Sequence, residues 1–323
     1  MIHEKIKNIL LKNDDPFTDI LGQQDVKNGL RSALLMRRNV IIVGPAGVGK
    51  TTLAKNIAKL LPGSGKTAGK GQTSNFVRVQ GSPDLTVEDL MGDIDPVKAL
   101  KFGPTSKEAF TPGKIFKADK GVLFFDELNR CPEKLQNALL QVLEERKVTL
   151  GGYDVDFDAD FIFIATMNPE DSSTEKLSDV LLDRFDVLYM DYPDSVEIET
   201  GIVTGKANRM DVQVDDQLSQ LMVLFVRVLR ESKDLEKKPG VRASLGLFER
   251  SQSNAALKGK DKAEWSDAED AIISVLSHRI KLKPSIQYLK SPEDFIREEL
   301  KKFSKENRLG ESQVQKTEKG GGP

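Results

Sequence analysis

A short apolar run, Val40-Ile41-Ile42-Val43, followed at once by Gly44-Pro45-Ala46-Gly47-Val48-Gly49-Lys50-Thr51, constrains the fold of this chain more than any other stretch. The octet fits G-x-x-x-x-G-K-[ST], and a helical pattern over Thr51–Leu61 follows it, so the local order is strand, glycine-rich loop, helix. Such a loop turns backbone N–H groups toward one point and adds the partial positive charge of a helix N-terminus. These groups suit phosphate oxygens, so Gly44 through Thr51, with Thr52 behind them, are assigned to the phosphates of ATP. Lys50 would reach the β- and γ-phosphates, and the Thr51 hydroxyl would be a ligand of Mg²⁺. A second GKT, in Pro62-Gly63-Ser64-Gly65-Lys66-Thr67, has Leu60 where the first glycine should stand and no strand before it. It reads as a flexible loop.

The surrounding pattern predicts an α/β domain. Between about residues 39 and 190, short apolar runs alternate with amphipathic stretches, as in a parallel sheet covered on both faces. The expected strands are Val40–Val43, Phe76–Val79, Val122–Phe125, Phe161–Ala165 and Val187–Met190. Leu135, Leu139, Leu140 and Leu143 form a helical stripe, with Pro132 near its start, where a missing N–H costs little. Lys147–Phe157, with Gly151-Gly152 at its centre, reads as a β-hairpin. Beyond about Asp194 the strand signals stop, and Leu218–Leu229, Ala243–Leu257 and Ala268–Ile280 suggest a smaller helical domain. The expected division is 1–193, 194–283 and a last segment, 284–323, of a helix and a tail. From about Glu311 that tail is too poor in apolar residues to offset the entropy of ordering, so it is expected to be disordered.

Bulk properties narrow the function classes. Lys and Arg total 48 against 50 Asp and Glu, so no global positive charge is available to grip nucleic acid or an anionic membrane. One cysteine, Cys131, can make neither an internal disulfide nor a cysteine-rich metal site. The N-terminus is charged throughout and unlike a secretory signal, and no apolar run is long enough to span a bilayer. A cytoplasmic protein without direct membrane insertion is the expectation.

Further candidates lie at the ends of predicted strands. Val122-Leu123-Phe124-Phe125-Asp126-Glu127 is an apolar strand ending in two carboxylates, where ligands gather in parallel sheets. Asp126 would help hold Mg²⁺, and Glu127 would orient and polarise the water that attacks a phosphoryl group. Asn168, just past the strand ending Ala165-Thr166-Met167, could lie beside the γ-phosphate, or it could be a turn residue ahead of Pro169. Arg184, in Leu181-Leu182-Asp183-Arg184-Phe185, and Arg242, in Pro239-Gly240-Val241-Arg242, complete the set. Spacing alone does not separate either arginine from an ordinary surface ion pair.

Taken together, these residues resemble the MoxR family of AAA+ ATPases and, close behind it, the I subunit of magnesium chelatase. The resemblance covers roughly residues 17–282. It is most specific from Asp126-Glu127-Leu128-Asn129-Arg130 through Gln136-Asn137-Ala138-Leu139-Leu140 to Ile164-Ala165-Thr166-Met167-Asn168-Pro169. The stretches from Gly92 to Leu100 and from Phe110 to Gly121 look like an insert that both groups share. The resemblance implies an AAA+ P-loop core, with a helix-two insert and a pre-sensor hairpin, followed by a helical lid. It implies that Asp126 and Glu127 form a Walker B motif, that Asn168 is sensor 1 and that Arg242 is sensor 2. Arg184 would be an arginine finger offered to a neighbouring subunit's ATP. It further implies that Gly22 and Gln23 lie near the adenine, that the chain forms a homo-oligomeric, hexameric ring, and that its partner carries a von Willebrand factor A domain. Nothing here resembles a metal-ion adhesion domain, so such a partner is expected to be a separate polypeptide.

The reading that follows is an ATP hydrolase that remodels or activates a partner in a chaperone-like way. A magnesium chelatase I-type motor is the alternative. A DNA motor would need basic residues on the hairpin, which instead reads Gly152-Tyr153-Asp154-Val155-Asp156-Phe157-Asp158. A non-hydrolysing nucleotide switch would not need Glu127 and Asn168.

Overall fold

The computed structural model describes residues 2–12, 15–61, 76–103, 106–149, 156–169 and 177–308. The second GKT, the hairpin tip at Gly151-Gly152 and the tail beyond Glu311 lie outside them. The chain divides into two compact units, Met1–Asp191 and Tyr192–Pro323.

The first unit is built on five strands: β1 (Asn39–Val43), β2 (Phe76–Gln80), β3 (Val122–Asp126), β4 (Ile162–Met167) and β5 (Phe185–Tyr189). Their order across the sheet is β2-β3-β4-β1-β5, and every pairing is parallel. The three inner strands are nearly continuous apolar runs because side chains on both of their faces are covered. The edge strands are covered less completely: polar and apolar residues alternate over Val77-Arg78-Val79-Gln80, and in β5 burial falls off after Phe185. β5 begins two residues earlier than the apolar run alone suggests, because Phe185 pairs in register with Asn39. The helix Glu133–Glu145 carries the predicted stripe, with Leu135, Leu139 and Leu143 buried. Cys131 is fully buried.

Two excursions leave this sheet. Between β2 and β3, the helix Val87–Met91 starts at a reciprocal cap, Thr86 Oγ1 accepting from the Asp89 N–H and Asp89 accepting from that of Thr86. An antiparallel pair, Gly92–Ile94 with Phe110–Pro112, then carries the short helix Pro96–Phe102, which Asp95 caps. The second excursion is an antiparallel pair, Lys147–Thr149 with Asp156–Asp158.

The second unit packs the helices Val196–Lys206, Asp216–Glu231, Val241–Leu257, Trp265–Leu276 and Pro292–Glu306. The last of these belongs to the segment set apart after residue 283, but Phe295, Ile296 and Phe303 are buried in the core of this unit. The Phe303 ring lies 5.1 Å from Phe225 and 5.7 Å from Trp265. The sequence reading missed the helix Val196–Lys206 and a two-stranded ribbon of Leu235–Lys237 with Lys281–Leu282. The ribbon's strands are too short to carry an alternation that could be recognised. Among the described residues, no helix is long and apolar enough to cross a membrane.

Candidate functional site

The glycine-rich loop joins the carboxyl end of β1 to the helix Lys50–Lys59. Its root is wedged between two neighbouring strand ends: the Gly44 N–H donates to the Met167 carbonyl at 3.2 Å, and the Met190 N–H donates to the Val43 carbonyl at 2.8 Å. A Cβ on Gly44 would stand 2.0 Å from the Met190 carbonyl oxygen, so no side chain fits there. Gly49 at the helix entrance has φ 108°, a conformation that glycine reaches without strain. Lys50 Nζ donates to the carbonyls of Gly44 at 2.5 Å and Pro45 at 2.8 Å, so its ammonium lies along the loop it follows.

One strand, β3, delivers both carboxylates to this loop, and its two neighbours hold them. Asp126, the last residue of β3, is buried; its Oδ1 accepts from the Thr166 hydroxyl at 2.6 Å, and its Oδ2 accepts from the Thr51 hydroxyl at 3.5 Å. Glu127 follows in the left-handed region, φ 57° and ψ 52°, which few non-glycine residues occupy. Its N–H donates to Thr166 Oγ1 at 2.9 Å, so one hydroxyl on β4 fixes both acidic residues. The side chain of Glu127 is held from two directions, by Gln80 Nε2 at 2.9 Å and by the Arg130 guanidinium at 3.2 Å. Arg78 reaches Asp126 Oδ2 at 2.5 Å and Gln80 Oε1 at 3.0 Å. Asn168 is half-buried one residue past Met167, the residue whose carbonyl receives Gly44.

Thr51, Asp126, Glu127 and the loop therefore stand together, with Asn168 at the end of the adjoining strand. Sequence reading missed Arg78, Gln80 and Thr166. The available signal was polar residues at the carboxyl ends of otherwise apolar strands; the pairing of Gln80 with Asp126 makes it meaningful.

Gly22 and Gln23 precede the helix Gln24–Leu35, both with positive φ, and Gln23 Nε2 donates to the Asp191 carbonyl at 2.7 Å. Arg184 is elsewhere. It immediately precedes β5, whose first residue pairs with Asn39 at the amino end of β1, so it lies at the sheet end opposite the loop. At ~3.3 Å per residue, the length of β1 separates the two by about 15 Å. Its guanidinium donates to the Val180 carbonyl at 2.7 Å and to Glu144 Oε2 at 2.8 Å. Arg242 belongs to the second unit, exposed in the first turn of Val241–Leu257. Burial, and Arg242 close by, hold the Arg279 guanidinium below its ordinary pKa.

The donor set suits a nucleotide with a hard divalent cation. The loop offers backbone N–H groups, an ammonium and a helix N-terminus. Thr51 and Asp126 offer a close pair of oxygens, and Mg²⁺ commonly takes only one or two protein ligands beside phosphates and water. Among the described residues, no cluster of three or more His, Cys, Asp or Glu could hold a metal by itself.

These features define a P-loop α/β domain accompanied by a separate helical unit. Comparison with known proteins agrees: residues 39–185 match the AAA domain of the dynein-related subfamily, and residues 238–299 match the AAA lid domain. The chain belongs to the AAA+ ATPases, in the group that holds MoxR and the magnesium chelatase I subunit. It is 28% identical over 294 residues to the chaperone MoxR1 of Mycobacterium tuberculosis, covering 81% of this chain and 73% of that one. It is also 28% identical over 330 residues to the chloroplastic magnesium-chelatase subunit ChlI-1 of Arabidopsis thaliana, covering 83% and 75%. A point mutant of RuvB from Thermotoga maritima shares the fold with a TM-score of 0.54 at 21% identity, covering 81% of this chain and 73% of that one. Membership of this family implies nucleotide binding.

Proposed function

We propose that this chain hydrolyses Mg·ATP at the interfaces of a ring of its own copies, six by resemblance, and couples the cycle to remodelling a partner protein. One observation carries the reading: the phosphate-type loop, Asp126 and Glu127 gather at one end of the sheet, while Arg184 stands at the other. An arginine about 15 Å from its own loop is too far to reach its own nucleotide, which supports a role toward that of a neighbouring copy.

Each residue of the site then takes a proposed role. Lys50 would exchange the carbonyls of Gly44 and Pro45 for β- and γ-phosphate oxygens, and the loop from Gly44 to Gly49, with Thr52, would cradle the phosphates. Thr51 and Asp126 would hold Mg²⁺, which when bound neutralises charge on the phosphates. Glu127 would leave Gln80 and Arg130 to polarise the attacking water, with Asn168 beside it. Arg184 would leave Glu144 to meet the neighbour's γ-phosphate, an interaction worth about 10³–10⁵ in rate where such arginines have been measured. Gly22 and Gln23 lie before a helix that starts close to Asp191, and are assigned to the adenine. Arg242 would act from the lid. The partner is proposed to carry a von Willebrand factor A domain, as the MoxR resemblance implies, and the compartment to be the cytoplasm. The similarity to ChlI-1 supports a second reading, a chelatase-type motor using the same site.

Phosphate release is expected to rise faster than linearly with protein concentration. Glu127→Gln should abolish it while nucleotide still binds. A linear dependence that persists down to concentrations where light scattering shows a monomer would contradict a shared site, and nucleotide binding without turnover at any concentration would point to a switch or to an engine silent without its partner.

A further inference from the structure

Asp126 is the carboxylate assigned to the metal, yet a cation from its own chain already engages it. Arg78 lies on the edge strand β2, two residues before Gln80, which pairs across the ladder with Asp126. Alternation along a strand puts Arg78 and Gln80 on the same face. Arg78 reaches Oδ2 at 2.5 Å, the same oxygen that faces the Thr51 hydroxyl at 3.5 Å, while Thr166 occupies Oδ1 at 2.6 Å. The guanidinium therefore sits on the one carboxylate oxygen that points at the proposed metal position. Its side chain is half exposed, so water can receive it when it leaves. The second hydrogen bond of Arg78, to Gln80 Oε1 at 3.0 Å, ties it to the amide whose Nε2 holds Glu127 at 2.9 Å.

We propose that Arg78 is a built-in counter-cation of Asp126 that Mg²⁺ must displace, so that strand β2 sets the free Mg²⁺ concentration at which the nucleotide site is completed. This rests on the nucleotide-site reading above. Two cations cannot share Oδ2 closely without mutual repulsion, so metal arrival and Arg78 departure are one exchange. Departure also removes a hydrogen bond that orients Gln80, loosening the hold on Glu127. Arg78 is thus a positioning residue that links occupancy of the metal position to release of the general base. Without nucleotide it keeps Asp126 neutralised, so the buried carboxylate is never left without a counter-charge.

The test is the affinity of the full-length protein for a fluorescent ADP analogue, measured in EDTA and across a titration of free Mg²⁺. Arg78→Gln should shift the half-point of the Mg²⁺ effect about two- to fivefold lower, the range expected for removing a half-exposed ion pair. Its affinity in EDTA should stay near the wild-type value. Arg78→Lys, which keeps the charge, should keep the wild-type half-point. An unchanged or higher half-point in Arg78→Gln would overturn the proposal while leaving the nucleotide site standing. So would a lysine variant that shifts as far as the glutamine one. Failure of the wild type to bind the analogue under any condition would instead remove the nucleotide reading, and this proposal with it.

Discussion

Glu199 in the second unit and Asp126 in the first each accept hydrogen bonds from an arginine and a hydroxyl, yet their surroundings differ. Glu199 is fully buried, and Arg230 grips it with two parallel bonds of 2.9 and 3.0 Å. Ser244 adds a third at 2.7 Å, and Arg227 approaches at 3.5 Å. Arg230 is itself buried, donates to the Pro239 carbonyl at 2.9 Å and lies over the Tyr192 ring at 4.2 Å. Every partner of that carboxylate comes from neighbouring helices of the same unit, and water has no access. Asp126 is buried too, but its arginine is half exposed and one of its hydroxyl contacts is long. The comparison separates two uses of a buried carboxylate. A closed set of partners pins helices together, and an open set can be exchanged for a ligand.

Neutralising each carboxylate should sharpen that distinction. The largest stability effect is expected for Glu199→Ala, which strands a buried guanidinium and should cost about 3–5 kcal/mol. Trp265, the only tryptophan in the chain, lies 6.3 Å from Phe225 in the core of the same unit, so its fluorescence during urea unfolding reports the loss. A loss under about 1 kcal/mol would mean that the cluster does not hold the lid together. Asp126→Asn should do the opposite. An amide can still accept from Thr166, and the released Arg78 can turn to water, so the thermal midpoint should reflect a change of about 1 kcal/mol or less. The Mg²⁺ dependence of nucleotide binding should nevertheless vanish. If Asp126→Asn destabilised the protein as much as Glu199→Ala, the two carboxylates would be alike and the comparison would fail.

What could be read from the sequence follows the same line. The loop from Gly44 to Thr51 and the pair Asp126-Glu127 were legible because each is a contiguous string whose chemistry is local. The five core strands were legible as apolar runs because both faces of the inner three are covered. Arg78, Gln80 and Thr166 were not, because their meaning depends on which strands are neighbours. β2, β3 and β4 are separated by long stretches of chain, and only the sheet order brings them side by side. The Glu199 cluster was equally hidden, since its members come from helices with unremarkable spacing. Arg184 could be named but not located: its position at the far end of the sheet follows from the pairing of Phe185 with Asn39.

If Arg184 of another copy completes the site, as proposed, two variants that are each inactive should restore one another when mixed. Lys50→Ala lacks the ammonium at its own loop but still offers Arg184, whereas Arg184→Ala has an intact loop and no arginine to offer. Each alone should release almost no phosphate from Mg·ATP, and an equimolar mixture should regain activity through mixed interfaces. A mixture as inactive as its components, despite demonstrated co-assembly, would contradict the shared site.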